Sequence, residues 1–159
     1  MAKLVKTNAM RALDVAKIEY GTSCYDVDES DLSGTHVAEV LGVPNDVVFK
    51  TLVAKNDKGE PRVYIIPVAE ELNLKKCAVA SNDKRVELIA VKELLPLTGY
   101  VRGGCSPIGM KKSFPTYVDE TAILWDKIYV SAGVRGQQII INPTDLTNFL
   151  KSTYADLTK

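Results

Sequence analysis

The stretch VVFKTLVAKNDKGEPRVYIIP, residues 47–67, decides the fold class. Residues 47–54 are rich in β-branched and aromatic side chains and predict a strand. Asn56, Asp57, Lys58 and Gly59 supply turn chemistry. Residues 62–67 predict the returning strand, so the whole reads as a β-hairpin. A second hairpin follows late in the chain, where residues 127–132 and 137–141 flank the turn GVRG at 133–136. Short extended pieces are predicted at 20–25, 85–89 and 115–119.

Helices fall between these strands. One is predicted to start at the cap Asn8 and run to about residue 18, with Met10 and Leu13 on its apolar face. Thr35 precedes another, residues 36–42, which Gly42 closes. Asn73 caps a third over 74–80. A short helix over 91–95 is ended by Pro96. Residues 120–125 predict a single helical turn, with Trp125 as a core anchor. Asn142 and Pro143 open the last helix, whose stripe is Leu146, Phe149 and Leu150. Strands that arrive partly as hairpins, interleaved with short helices, predict a mixed sheet in an α+β domain.

At 159 residues, with 46% hydrophobic and 25% charged side chains, the chain suits a single domain over residues 1–159 that buries its own core. Net charge is zero, so no global basic signature for nucleic acid exists. DNA is not an expected partner, and any RNA contact must come from a local patch. The N-terminal residues lack a long apolar run, which predicts neither a secretion signal nor a membrane span. Cys24, Cys77 and Cys105 are widely spaced with no CxxC, and His36 is the single histidine. That pattern fits a cytoplasmic protein and argues against disulfides or a metal site.

Two features carry chemistry. The first is Tyr100 to Lys112, YVRGGCSPIGMKK. Its glycines can take φ > 0, and consecutive free N–H groups can form an anion- or carbonyl-binding nest. The same composition also serves as a plain connection. Arg102, Lys111, Lys112 and, further on, Arg135 are the basic candidates for phosphate contact. The second is Lys50, inside the apolar run VVFKTLVA. It sits either on the wet face of its strand or in a partly dry pocket as a fixed cation. A Cys105 nucleophile with His36 as base is a weaker candidate, since no third residue orients the pair. Asp26, Asp28, Glu29 and Asp31 form an acidic cluster without calcium-loop spacing, which reads as solvated.

Four segments occur in a specific order: VFKTLVA (48–54), VYIIPV (63–68), TGYVRGGCSPIGMKKSFPTYVD (98–119) and IYVSAGVRGQQIII (128–141). Together they resemble the YbaK/EbsC family of aminoacyl-tRNA deacylases, free-standing relatives of the editing insertion domain of bacterial prolyl-tRNA synthetase. The resemblance spans about residues 13–157. It implies an α+β fold with a mixed, partly barrel-like sheet flanked by short helices. It implies release of cysteine, or another small amino acid such as alanine, from mischarged tRNA(Pro), with no cofactor or metal. The partner would be aminoacyl-tRNA, chiefly tRNA(Pro), with prolyl-tRNA synthetase as a candidate presenter. The family's key lysine falls on Lys50, with Thr51 beside it. Its glycine loop falls on Gly103, Gly104, Ser106 and Pro107, its serine on Ser131 and a pocket tyrosine on Tyr25. Gln138 stands where some relatives carry aspartate, and Ser33 near where some carry phenylalanine. A non-catalytic binder of aminoacyl-tRNA or a nucleotide is the alternative from another class.

Overall fold

The computed structural model describes residues 4–159. Its strands form two sheets. The larger is built on the first hairpin, β2 (Phe49–Asn56) and β3 (Pro61–Pro67), paired antiparallel with Lys50 opposite Ile66 and Val53 opposite Val63. Asn56 shapes the turn: its Oδ1 accepts the N–H groups of Lys58 at 3.0 Å and Glu60 at 2.8 Å. The short β4 (Val86–Leu88) extends β2 on one side. Beyond β3 lie β5 (Thr116–Asp119) and β8 (Thr153–Ala155), both parallel to their neighbours. The order is β4-β2-β3-β5-β8. The smaller sheet is antiparallel, with β1 (Gly21–Cys24), β7 (Gln137–Ile141) and β6 (Ile128–Ser131) in the order β1-β7-β6. A parallel bridge between Val48 and Tyr129 is the seam where the two sheets meet. This gives the partly barrel-like character that the sequence resemblance implies, without closing the barrel.

Strand alternation explains the layers. Phe49 and Val53 of β2 with Val63 and Ile65 of β3 face the smaller sheet and pack on Val130, Ile139 and Ile141. Tyr64 and Ile66 face the other way, onto α3 (Leu74–Ala80) through Cys77 and Ala78. β3 is thus buried on both faces, which is why it reads as a near-continuous apolar run. The main core also takes α1 (Asn8–Val15) through Met10 and Leu13, and α5 (Pro143–Leu150) through Leu146. Asn142 caps α5 as the sequence predicts, its Oδ1 accepting from Thr144 and Asp145.

Other boundaries moved. Thr7, not Asn8, caps α1, which ends at Val15. Ser33, not Thr35, caps α2 (Gly34–Leu41), and Gly42 closes it in the left-handed region. The fourth helix, α4 (Val91–Thr98), runs through Pro96 instead of stopping there. Pro96 has no N–H to reach back one turn and its ring crowds the carbonyl there, but the Thr98 hydroxyl ties that last turn by donating to the Leu94 carbonyl at 2.8 Å. No helix among the described residues is long and apolar enough to cross a membrane.

Candidate active site

A gap in the larger sheet positions the site. β4 pairs with β2 only at Ala54–Asn56, and the main-chain bridge to the smaller sheet falls at Val48, just before β2 begins. Between these points one edge of β2 is continued by no strand. A cleft of about 440 Å³ opens along that edge. Neighbouring residues of a strand normally point to opposite sides of a sheet. At an open edge both can reach one space, so Lys50 and Thr51 line the same cleft.

Four elements complete the walls. The start of α2 contributes Leu32, Ser33 and Gly34. A Cβ on Gly34 would lie 2.2 Å from Val68 Cγ1, so only glycine lets α2 lie flush on the strand end. The segment from Leu88 to Leu94 forms an apolar wall opposite. The glycine loop supplies Arg102, Gly103 and Cys105. Ser131 and Gln138 rise from the smaller sheet. The sequence resemblance implies a substrate role for both of these, and they face each other across β6 and β7 as register partners.

Lys50 is half-buried and makes no hydrogen bond or ion pair among the described residues. Burial pushes its pKa down, opposed by the carboxylates of Glu71 and Glu70. Thr51 is 9% exposed and Gln138 5%. Thr51 Oγ1 and Gln138 Oε1 are buried with no hydrogen-bond partner. Each orphaned group of this kind costs about 1–3 kcal/mol of stability, so the cleft carries polar atoms that the fold itself does not satisfy. The Ser131 hydroxyl accepts from the Gly133 N–H at 3.1 Å, which leaves its own O–H to donate.

The glycine loop divides its labour. Gly103 takes φ +84°, a left-handed conformation that favours glycine. Gly104 is buried, and a Cβ there would meet the Arg135 nitrogen at 3.2 Å and the Val134 carbonyl carbon at 3.3 Å. Its N–H closes a turn onto the Val101 carbonyl at 2.9 Å and is not free for a ligand. Of the loop residues that line the cleft, Arg102, Gly103 and Cys105 have N–H groups that make no hydrogen bond among the described residues. The sequence expectation placed the binding amides on Gly103 and Gly104; the N–H of Gly104 is taken up by Val101, and the residue itself serves close packing. Ser106 and Pro107 are buried beneath the loop, where Ser106 Oγ accepts the Ile108 N–H at 3.2 Å. Neither lines the cleft. Nor does Tyr25, which is buried and donates its N–H to the Gly136 carbonyl at 2.9 Å.

Of the basic candidates, Arg102 stands exposed at the rim and Lys112 is exposed on the loop. Lys111 lies across Gly99 and reaches the Pro96 carbonyl at 3.4 Å. Arg135 is engaged within the protein: its Nε donates to the Arg102 carbonyl at 2.8 Å and its Nη1 pairs with Glu29 at 2.8 Å. It clamps the glycine loop to the acidic loop on the other side of the rim. The Cys105–His36 pair does not form. Burial pushes the Cys105 thiol up to about 12, and His36 lines a separate depression beside Asp31.

The class that this fold and cleft define is the aminoacyl-tRNA editing domain, whose family model matches residues 33–149, and the chain belongs to that family. A relative from Enterococcus faecalis named "Putative Cys-tRNA(Pro)/Cys-tRNA(Cys) deacylase EbsC" is 46% identical over 153 residues, covering 96% of this chain and 93% of that protein. The fold is shared with a structure described as "a putative trans-editing enzyme for prolyl tRNA synthetase", at TM-score 0.82 and 20% identity over 99% of both chains. It is shared also with that of a hypothetical protein, at TM-score 0.86 and 21% identity over 94% of this chain and 97% of the other.

Proposed function

We propose that this protein is a trans-acting aminoacyl-tRNA deacylase that releases cysteine, or another small amino acid, from mischarged tRNA(Pro). The observation that carries the reading is Lys50, a half-buried amine without a hydrogen-bond or ion-pair partner among the described residues, in a cleft that also holds unsatisfied polar groups. Family membership and the name of the E. faecalis relative support it.

In this reading the ester carbonyl lies between Lys50 and the free N–H groups of Gly103 and Cys105. Donors held in place before the reaction stabilise the negative charge that develops on the carbonyl oxygen. The Ser131 hydroxyl and the rim cation Arg102 orient the terminal ribose and phosphate. The cleft offers no paired protein nucleophile and base, since the Cys105 thiol is held protonated and His36 lies elsewhere. That favours assistance by the substrate. The cysteine sulfur attacks its own carbonyl carbon, the bond to the ribose oxygen breaks, and that oxygen takes a proton. The resulting thiolactone is opened by water. Small side chains differ too little in binding energy for a synthetase to reject all of them in one step, so a second sieve is useful. A net-neutral protein holds tRNA through a local patch only, which suits presentation by prolyl-tRNA synthetase.

The test is a deacylation panel of cysteinyl-, alanyl- and prolyl-tRNA(Pro) with cysteinyl-tRNA(Cys). Thiol assistance requires cysteine to be released far faster than alanine. Equal rates for the two point to an attacking water and an alanyl-tRNA(Pro) hydrolase. Saturable binding with release no faster than the spontaneous rate refutes the enzyme and leaves a binding module.

A further inference from the structure

We propose that Thr51 Oγ1 and Gln138 Oε1 form a receptor for the substrate's free α-amino group, so that the site accepts esters of unblocked amino acids and turns away N-acylated ones. The inference rests on the deacylase reading and assigns a part of the substrate to that same cleft. Both oxygens belong to side chains more than nine-tenths buried, both residues line the cleft, and neither oxygen has a partner. The fold can satisfy a buried glutamine when it needs to. Gln137, the next residue along, receives the Val5 N–H at 2.8 Å and donates to the Val5 carbonyl at 2.9 Å. Strand alternation turns Gln138 to the other face, toward the cleft, where no protein donor meets its oxygen.

Chemical complementarity selects the group that fits. A glutamine Oε1 only accepts, and a threonine hydroxyl accepts as well as donates. The carbonyl and ring oxygens of an aminoacyl ester are acceptors: one of them can take the Thr51 O–H, but none can satisfy Gln138 Oε1. A thiol or a ribose hydroxyl brings a single proton, enough for one oxygen. An α-amino group brings at least two, one for each. It is separated from the ester carbonyl by one carbon, and Lys50, the residue next to Thr51, lies ready for that carbonyl. Acylating the amine removes an N–H and adds bulk where the wall is already buried. The receptor would therefore separate aminoacyl-tRNA from peptidyl-tRNA and from N-formylated initiator tRNA.

The experiment compares cysteinyl-tRNA(Pro) with N-acetyl-cysteinyl-tRNA(Pro) in single turnover with the full chain. The expected result is cleavage of the acetylated ester roughly 10⁴-fold more slowly, the discrimination of a site built to hydrogen-bond a substrate N–H. Thr51→Val and Gln138→Met, which keep shape, should slow the free-amine substrate and bring the ratio of the two rates toward one. A merely structural role would slow both substrates alike and keep the ratio. Equal wild-type rates, or variants that preserve the ratio, overturn the proposal. If the wild type cleaves neither ester, the deacylase reading fails, and the receptor is judged by binding of stable amides. Calorimetry then compares 3′-alanylamino-3′-deoxyadenosine with its propionyl counterpart, which lacks the amine. A tenfold or greater preference for the alanyl compound upholds the receptor, and equal affinity or no binding of either refutes it.

Discussion

Replacing Lys50 with methionine should move activity and stability in opposite directions. The side chain is half-buried and unpaired, and its ammonium pKa is lowered chiefly by burial. Holding that charge in place works against the folded state. The sign follows from proton linkage. A lysine whose pKa is depressed on folding binds its proton more tightly in the unfolded chain, where the value is about 10.4. Stability therefore rises with pH through the window between the folded pKa and about 10.4, and the penalty is fully present below it. Methionine has a similar length and no charge, so Lys50→Met should melt no lower than wild type at pH 7. Its advantage should shrink as pH is raised through that window. Catalysis should fall. Removing one positioned donor from a developing oxyanion costs about 2.7–4 kcal/mol, roughly 10²–10³ in rate. The assay is single-turnover release of labelled cysteine from cysteinyl-tRNA(Pro), alongside thermal melts by circular dichroism at pH 7 and near pH 10. A variant with the wild-type rate would refute the catalytic role. A variant that is slow but also much less stable would refute the claim that Lys50 is held at the fold's expense.

Three further outcomes follow from packing and charge. Gly104→Ala should lower the urea midpoint by the equivalent of about 1–3 kcal/mol, because the new methyl meets main-chain atoms of the β6–β7 turn that cannot swing aside. Asp83→Ala should cost about 3 kcal/mol, since it removes the shielded partner at 3.0 Å and leaves Arg62 only the exposed Glu60 carboxylate at 3.8 Å and the Pro61 carbonyl. Burial pushes the Asp83 carboxyl up, but hydrogen bonds from Ser81, Asn56 and Arg62 outweigh it and hold the pKa down. That contribution is present above the unfolded value near pH 3.9 and is lost as pH falls through the folded one, which acid unfolding of wild type and variant will show. Native protein treated with iodoacetamide at pH 7.5 should leave Cys77 and Cys105 unlabelled by mass spectrometry, because burial pushes both thiols up to about 12. Rapid labelling of Cys105 would contradict that burial.

The hairpin over residues 47–67 was legible because its turn residues and its β-rich runs agree. Lys50 was legible as an anomaly, though sequence alone could not say whether its face was wet. That depends on β4 ending short, a property of the sheet and not of β2. Gln138 was marked by resemblance, but periodicity could not choose between it and Gln137 without knowing which face of β7 the cleft borders. The free amide at Cys105 was hidden because the need for Gly104 arises from the backbone of residues 134 and 135, thirty positions away in sequence. The apolar wall from Leu88 to Leu94 reads in sequence as a short strand and a short helix, but its place beside the cleft depends on how β4 docks on β2, which periodicity does not carry. β8 was missed, being three residues long and paired only with β5.

The clamp made by Arg135 has a consequence for how the molecule fails. Lys50 and Thr51 come from one sheet, Ser131 and Gln138 from the other, and the glycine loop is held in place by the turn that joins β6 to β7. On the proposed site, no half of the chain carries a working fraction of the machinery. A molecule whose sheets have come apart should accordingly hydrolyse nothing, neither its own substrate nor the correctly charged tRNA of other amino acids. For a protein whose errors would strip the translation apparatus of good substrate, going silent on unfolding is a safeguard, and residual activity should fall in step with loss of the docked sheets.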